Sequence, residues 1–373
     1  MTRTQRRTRS IALTMGLAMT LAACGGTTQD SAQDDPVAGD EETLDPTDAD
    51  DTADGDANAG GAEDYEEGLA ITMLPKSVNN PYFEASSDGA QMVVEDELSG
   101  TYEYTGPSEA TASSQVSYIN TLSQQGVDAL LLSANDPNAL CSSLDQASSG
   151  GTAIVTFDSD VDPECRDLFV SQVDGEEVGR ALIEMAAEQI DGAGEIAILS
   201  ATANATNQNA WIDVIEQELA NNPDYADIEL VATVYGDDED EKSFAETQGL
   251  LQAHPDLEAI ISPTTVGIAA AARYLQGSDY QGEVALTGLG TPNQMREFVE
   301  DGTVEEFALW DPGALGELAA YTGAALASDM ITGEEGDTFT AGDLGEYVLG
   351  QDGVILLGPP TRFNAENIDE FDF

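Results

Sequence analysis

The residues able to do chemistry in this chain gather at one kind of place, the few positions that follow a short apolar run. After Ala70-Ile71-Thr72-Met73-Leu74 come Lys76, Asn79 and Asn80, and after Ala153-Ile154-Val155-Thr156-Phe157 come Asp158 and Asp160. Asn204, Asn207 and Gln208 follow Ile196-Ala197-Ile198-Leu199, Thr264 and Thr265 follow Ala259-Ile260-Ile261, and Trp310 and Asp311 follow Leu309. Amides, carboxylates and a lysine hydrogen-bond the hydroxyls of a small polyhydroxylated molecule, while Tyr82, Phe83 and Trp211 offer aromatic faces for ring C–H groups. Singly, each has a structural role to hand: Asn80 before Pro81 and Asn207 can cap helices, Trp211 can be core, and Asp158 can order a turn. It is their recurrence at strand ends that points to a binding site.

The same inventory is poor in catalytic apparatus. His254 is the single histidine, and in Gln252-Ala253-His254-Pro255-Asp256 it sits at a helix end, where the helix dipole accounts for it. One histidine cannot make a zinc site of the usual kind, and neither a Gly-x-Ser-x-Gly elbow nor a phosphate loop is present, so no metal, no cofactor and no enzyme is expected. Asp158 and Asp160 could in principle form the acid/base pair of a glycosidase, the one enzymatic alternative the residues leave. Asp50 to Gly55 resembles the start of a calcium loop, but its twelfth position would be Gly61 rather than a bidentate glutamate.

The elements that must hold these residues follow from the apolar pattern. Continuous apolar runs of strand length, including Ala129-Leu130-Leu131-Leu132, Leu230-Val231-Ala232-Thr233-Val234 and Val284-Ala285-Leu286, suit strands buried on both faces. Amphipathic stretches lie between them, such as Phe83 to Glu97 and Ala139 to Ala147, with further helices starting near Glu176, Asn207, Lys242, Gly267 and Pro292. Alternation of this kind implies an α/β fold with doubly wound parallel sheets, and its repetition after residue 172 predicts two of them. About 305 residues remain from Leu69 onward, enough for two lobes with separate cores. In open sheets of this type a ligand sits beyond the carboxyl ends of the strands, where the polar residues lie.

The amino terminus reads as an address. Arg3, Arg6, Arg7 and Arg9 precede an apolar run from Ile11 to Ala23 that is too short to span a bilayer, so residues 1–23 are expected to be a signal peptide. Leu21-Ala22-Ala23-Cys24-Gly25 has the small residues before a cysteine that a lipoprotein signal peptidase reads, and Cys24 is the expected lipidation site. Residues 24–68 are expected to be an acidic tether with almost no large apolar residue, unable to bury enough surface to fold. The mature chain is then extracytoplasmic, attached through lipid to the outer face of the cell membrane or in the periplasm. Cys141 and Cys165 are the remaining pair, expected to form a disulfide in that oxidising compartment, with two buried free thiols as the alternative. A formal net charge of −61 excludes nucleic acid as a partner and disfavours an anionic ligand. It suits a heavily hydrated surface in high salt.

At the strand-end residues the chain also resembles the type I periplasmic sugar-binding proteins, over nearly the whole span from Leu69 to Phe373. Lys76-Ser77-Val78-Asn79-Asn80-Pro81-Tyr82-Phe83 and Asp88-Gly89-Ala90-Gln91 look like the opening of the ribose-binding cluster. Thr156-Phe157-Asp158-Ser159-Asp160, Asn207-Gln208-Asn209-Ala210-Trp211, Gly290-Thr291-Pro292-Asn293 and Phe363-Asn364-Ala365-Glu366-Asn367-Ile368 look like the branch of rhamnose-binding proteins and autoinducer-2 receptors. Relative to those receptors Lys76, Asp158, Gln208 and Pro263 match, whereas Asn207 and Thr265 stand where an aspartate and an alanine are expected. An amide offers donors where a carboxylate only accepts, which favours rhamnose or a related deoxyhexose over autoinducer-2 or another pentose or hexose. Asp311 departs from the rhamnose side, where asparagine is expected.

The resemblance implies an ABC transporter permease as partner, a monomer, and two lobes joined by a three-segment hinge. It assigns 69–171 and 311–345 to the amino-terminal lobe and 172–310 and 346–373 to the carboxyl-terminal lobe, with crossings near Ser171 to Asp174, Trp310 to Pro312 and Leu344 to Gly350. The strand-end reading and the resemblance together give the expected ligand set Lys76, Asn80, Phe83, Asp158, Asp160, Asn207, Gln208, Trp211, Thr265 and Asp311, closing on the sugar from both lobes. Signalling to a membrane sensor, and a purely structural or adhesive lipoprotein, are the alternative outputs.

Overall fold

In a computed structural model, which describes residues 65–373, the apolar runs become parallel strands because helices cover both of their faces. The expected signal peptide, Cys24 and most of the tether lie outside the described residues. The chain runs through β1 (Ala70–Leu74), α1 (Pro81–Gln91), β2 (Thr101–Tyr104), α2 (Ala112–Gln125), β3 (Ala129–Leu132), α3 (Cys141–Ser149), β4 (Ala153–Phe157) and β5 (Leu168–Ser171). It continues through α4 (Gly175–Gln189), β6 (Ala193–Ser200), α5 (Thr206–Asn221), β7 (Asp227–Tyr235), α6 (Asp240–Ala253), β8 (Leu257–Ser262), α7 (Thr265–Leu275), β9 (Ala285–Gly288), α8 (Pro292–Glu300) and β10 (Glu306–Leu309). It closes with α9 (Pro312–Ala327), the short strands β11 (Thr338–Thr340), β12 (Glu346–Val348) and β13 (Val354–Leu356), and β14 (Thr361–Asn364).

Two sheets result. The first has the parallel order β13-β5-β4-β3-β1-β2 and the second the parallel order β7-β6-β8-β9, extended by a bridge from Leu289 to Ala308 and by the antiparallel pair β10-β14. Each of the six strands of the first sheet except β2 and β13 has a neighbour on both sides, and β3 is buried at every position. Among the described residues no helix is long and apolar enough to cross a membrane.

The assignment of 346–373 to the second lobe needs correction. β13 pairs with β5 in the first sheet, β12 pairs with β11, and only β14 joins the second lobe through β10. The third crossing therefore runs over 357–360 rather than 344–350. Val354-Ile355-Leu356 covers the otherwise open edge of β5, and three residues are too few to show a strand periodicity in the sequence. Here the third crossing lies beside the first: Leu357 N–H donates to the Ser171 carbonyl at 2.9 Å and Gly358 N–H to that of Gln172 at 3.3 Å.

Two devices hold the site-bearing ends in place. α1 and α9 pack at backbone contact, since a Cβ on Gly316 would lie 1.8 Å from the Ser86 carbonyl oxygen. This fixes the start of α1, which carries Asn80, Tyr82 and Phe83. Cys141 and Cys165 form a disulfide across a separation of 24 residues, tying the start of α3 to the turn before Arg166. On the chain-entropy model a loop of that size stabilises by about 3 kcal/mol.

Candidate functional site

The carboxyl ends of both sheets face one cleft, lined from the first lobe by Lys76, Asn80, Tyr82, Phe83 and Asp158. The second lobe contributes Asn207, Gln208, Trp211, Asp238, Pro263, Thr264, Thr265 and Leu289, and the second crossing adds Leu309 and Trp310.

Asp158 is the hub. It directly follows β4 with a left-handed backbone, φ 60°, a region that aspartate tolerates better than most residues and that recurs at functional sites. One carboxylate oxygen accepts from the Ser133 hydroxyl at 2.7 Å and meets the Lys76 ammonium at 3.1 Å. The other accepts from the Asn207 amide at 3.2 Å and from Gln172 at 3.4 Å. Asn207 in turn accepts from Lys76 at 3.4 Å, so the two lobes meet through one cation, one carboxylate and one amide. Among the described residues Lys76 is the only cation lining the cleft, and its charge is already matched by Asp158.

The neighbouring polar groups are held by backbone. Gln208, in the first turn of α5, accepts through its amide oxygen from the Ser200 hydroxyl at 2.7 Å and from Ala201 N–H at 2.8 Å, which leaves its NH2 end for a ligand. Asn80 caps α1 by accepting from Tyr82 N–H at 3.0 Å and lines the cleft as well, so its two readings hold together. The first residue of α7, Thr265, also lines the cleft, beside Thr264.

The aromatic residues form a continuous wall. Tyr82 and Phe83 meet edge to face at 5.1 Å, Tyr82 meets Trp310 at 6.2 Å, and Trp310 leans on Trp211 at 5.9 Å, joining the lobes through apolar contact. The Trp310 indole N–H donates to the Tyr82 hydroxyl at 2.8 Å. Burial, reinforced by the charge of Asp158, raises the Tyr82 hydroxyl well above its ordinary value, so it stays protonated and able to donate.

Two expected ligand residues are elsewhere. Asp160 turns away from the cleft and grips the Arg166 guanidinium with both oxygens at 2.8 Å, while Val161 N–H donates to it at 2.8 Å. Two residues beyond Asp158, it faces the buried arginine that the disulfide turn brings in, and charge pairing decides its direction. Asp311 is exposed and caps α9, accepting from Gly313 N–H at 2.8 Å and Ala314 N–H at 3.2 Å. With its acceptor spent on the helix, it does not reach the cleft.

One polar lining residue is absent from the strand-end reading. Asp238 follows β7 by three residues, and the same rule applied to Leu230-Val231-Ala232-Thr233-Val234 would have found it. The surrounding acidic run reads as solvated surface instead. Among the described residues no group of three or more His, Cys, Asp or Glu side chains is arranged to hold a metal ion.

The periplasmic binding protein domain model matches residues 71–334. A sugar ABC transporter structure from Actinomyces odontolyticus is 56% identical with a TM-score of 0.67, covering 82% of this chain and 98% of its own. A solute binding protein from Clostridium phytofermentas with bound L-rhamnose is 36% identical with a TM-score of 0.79, covering 82% and 98%. LsrB from Clostridium saccharobutylicum in complex with AI-2 is 28% identical with a TM-score of 0.77, covering 82% and 100%.

Proposed function

The chain belongs to the periplasmic binding protein family, and from that premise we propose that its cleft takes a neutral 6-deoxyhexose, L-rhamnose or a close relative. At the coarser level it is a sugar-binding, extracytoplasmic substrate-binding protein of an ABC transporter, and not an enzyme.

The observation that carries the ligand is the charge balance of the cleft together with its walls. Lys76 is neutralised by Asp158 at 3.1 Å, so an anionic sugar would find no unmatched cation and would meet the Asp238 carboxyl as well. Leu289, Leu309, Pro263 and Trp310 add apolar lining suited to a methyl substituent. Burying one methyl there is worth about 0.8 kcal/mol, whereas a primary hydroxyl in the same place would be left without a partner. Asn207, an amide where autoinducer-2 receptors are expected to have a carboxylate, argues for the sugar over that ligand.

The ligand would act by closure. It bridges Lys76 and Asp158 of one lobe to Asn207, Gln208 and Thr265 of the other, and that differential contact favours the closed state that a permease recognises. The lobes already touch through Ser159 and Thr206, whose hydroxyl oxygens are 2.9 Å apart, and through the Asn204 side-chain amide donating to the Asp136 carboxylate at 3.2 Å. Lipid on Cys24 would keep the protein at the membrane as a monomer, within reach of the permease.

Calorimetric titration of the unlipidated protein with L-rhamnose, D-ribose, D-glucuronate and autoinducer-2 tests the ligand. Saturable heat with L-rhamnose and none with D-glucuronate is expected. Tighter binding of autoinducer-2 or of the uronate than of L-rhamnose would overturn the reading.

A further inference from the structure

The turn after β7, Gly236-Asp237-Asp238-Glu239-Asp240, carries acids that differ sharply in what they face. Asp237 is ion-paired with Lys242, and Asp240 meets the Arg273 guanidinium at 2.5 and 2.7 Å, both on the outer surface. Asp238 alone turns into the cleft. Its first carboxyl oxygen accepts from the Thr264 hydroxyl at 2.6 Å, and among the described residues no side chain or backbone group bonds the second.

The turn is built to hold that direction. Asp237 and Asp238 both adopt left-handed backbone, φ 55° and 53°, two consecutive non-glycine residues in a sparsely populated region. Backbone bonds pin it from both sides: Gly236 N–H to the Ser200 carbonyl at 2.8 Å, Asp237 N–H to that of Ala201 at 2.8 Å, and Glu239 N–H to that of Gly236 at 3.0 Å. A Cβ on Gly236 would lie 2.1 Å from the Ser243 hydroxyl, so the turn packs closely on α6 there and leaves no room for a side chain. Strain of this kind, spent on aiming one acid inward, calls for something there to be recognised.

Resting on the sugar-binding reading above, we propose that Asp238 is a specificity-determining ligand contact, its free oxygen accepting one hydroxyl of the sugar from the second-lobe wall, across from the Lys76–Asp158 pair. The site thereby demands a donor hydroxyl at that ring position and discriminates against epimers and deoxy analogues lacking it. Thr264 is the positioning residue that fixes the carboxyl plane.

D238N is the informative variant, because asparagine also tolerates the left-handed backbone. Its amide oxygen keeps the Thr264 bond and turns an NH2 donor toward the ligand where an acceptor is required. Wild type and D238N are titrated against L-rhamnose, its 2-, 3- and 4-deoxy analogues and D-ribose, with a thermal melt of each unliganded protein. We expect D238N to lose ten- to hundredfold in affinity for L-rhamnose, as for a hydrogen bond to a charged group, while its unliganded melting stays cooperative. Among the deoxy analogues one should bind both proteins equally, identifying the hydroxyl that Asp238 takes. Equal affinity of both proteins for L-rhamnose, or the same loss with every analogue, would overturn the proposal. Wild type that binds D-ribose but not L-rhamnose overturns the deoxyhexose reading alone, leaving Asp238 to be judged on D-ribose, and wild type that binds none counts against both.

Discussion

Replacing Asp158 by asparagine is the most direct test of how the cleft is assembled. The carboxylate and Lys76 are 3.1 Å apart with side chains 7% and 6% exposed, so solvent screens the pair little. Removing one member of a buried pair leaves the other charge uncompensated, which costs about 3–5 kcal/mol. Asparagine preserves the volume and tolerates the left-handed backbone at φ 60°, so the loss reports charge rather than shape. We expect urea unfolding at fixed high salt to put D158N about 3–5 kcal/mol below wild type with an unchanged m value. K76M should fall similarly. The double variant K76M/D158N, with both charges gone, should recover at least about 2 kcal/mol relative to the sum of the singles. Sugar affinity should drop at least about tenfold in all three, since each removes a charge-assisted hydrogen bond worth about 1.5–3 kcal/mol. Additive destabilisation, or wild-type sugar affinity in D158N, would refute the coupling of the pair and its place in the ligand set.

Gly316→Ala should destabilise by about 1–3 kcal/mol through overpacking against Ser86, and by tilting α1 should also weaken sugar binding, which denaturant melts and calorimetry check together. Reducing the Cys141–Cys165 disulfide, or replacing both by serine, should lower stability by about 3 kcal/mol and loosen the turn that delivers Arg166 to Asp160, seen as faster amide exchange over residues 160–166. Burial raises the Asp238 carboxyl above its ordinary 3.8, Asp158 and Asp237 add to this, and Lys76 and Thr264 oppose it. The folded state therefore holds that proton more tightly, and the stability it lends is full below about 3.8 and is lost as pH rises through the folded-state value. D238N should flatten that part of the stability curve, and an unchanged slope would mean the carboxyl is solvated. Cys24→Ser should abolish metabolic labelling with palmitate and release the protein from membranes.

Much of the architecture was legible because burial on both faces leaves a plain trace. A parallel strand between two helical layers must be apolar throughout, and the runs ending at Leu74, Leu132 and Phe157 are. Lys76, Asn80, Phe83, Asp158, Asn207, Gln208, Trp211 and Thr265 were legible for a related reason: strand ends open onto the cleft, so polar residues there line it. β13 was not legible, since three residues have no period and their neighbour β5 is some 185 positions away. Nor were Asp160 and Asp311 separable from Asp158 by residue type and position alone.

The sequence by itself determined the parts that depend on local pattern: the alternation that yields two parallel sheets, the polar residues at their strand ends, and a strongly acidic net charge. The tertiary structure alone decided which carboxylates face the cleft. Asp158, Asp160, Asp238 and Asp311 are alike as residues, and each takes its direction from a partner delivered by another part of the chain. Lys76 draws Asp158 inward, Arg166 draws Asp160 away, the first turn of α9 consumes Asp311, and Thr264 holds Asp238 in the cleft. A buried charge goes where its counter-charge or donor is, and only the fold says where that is.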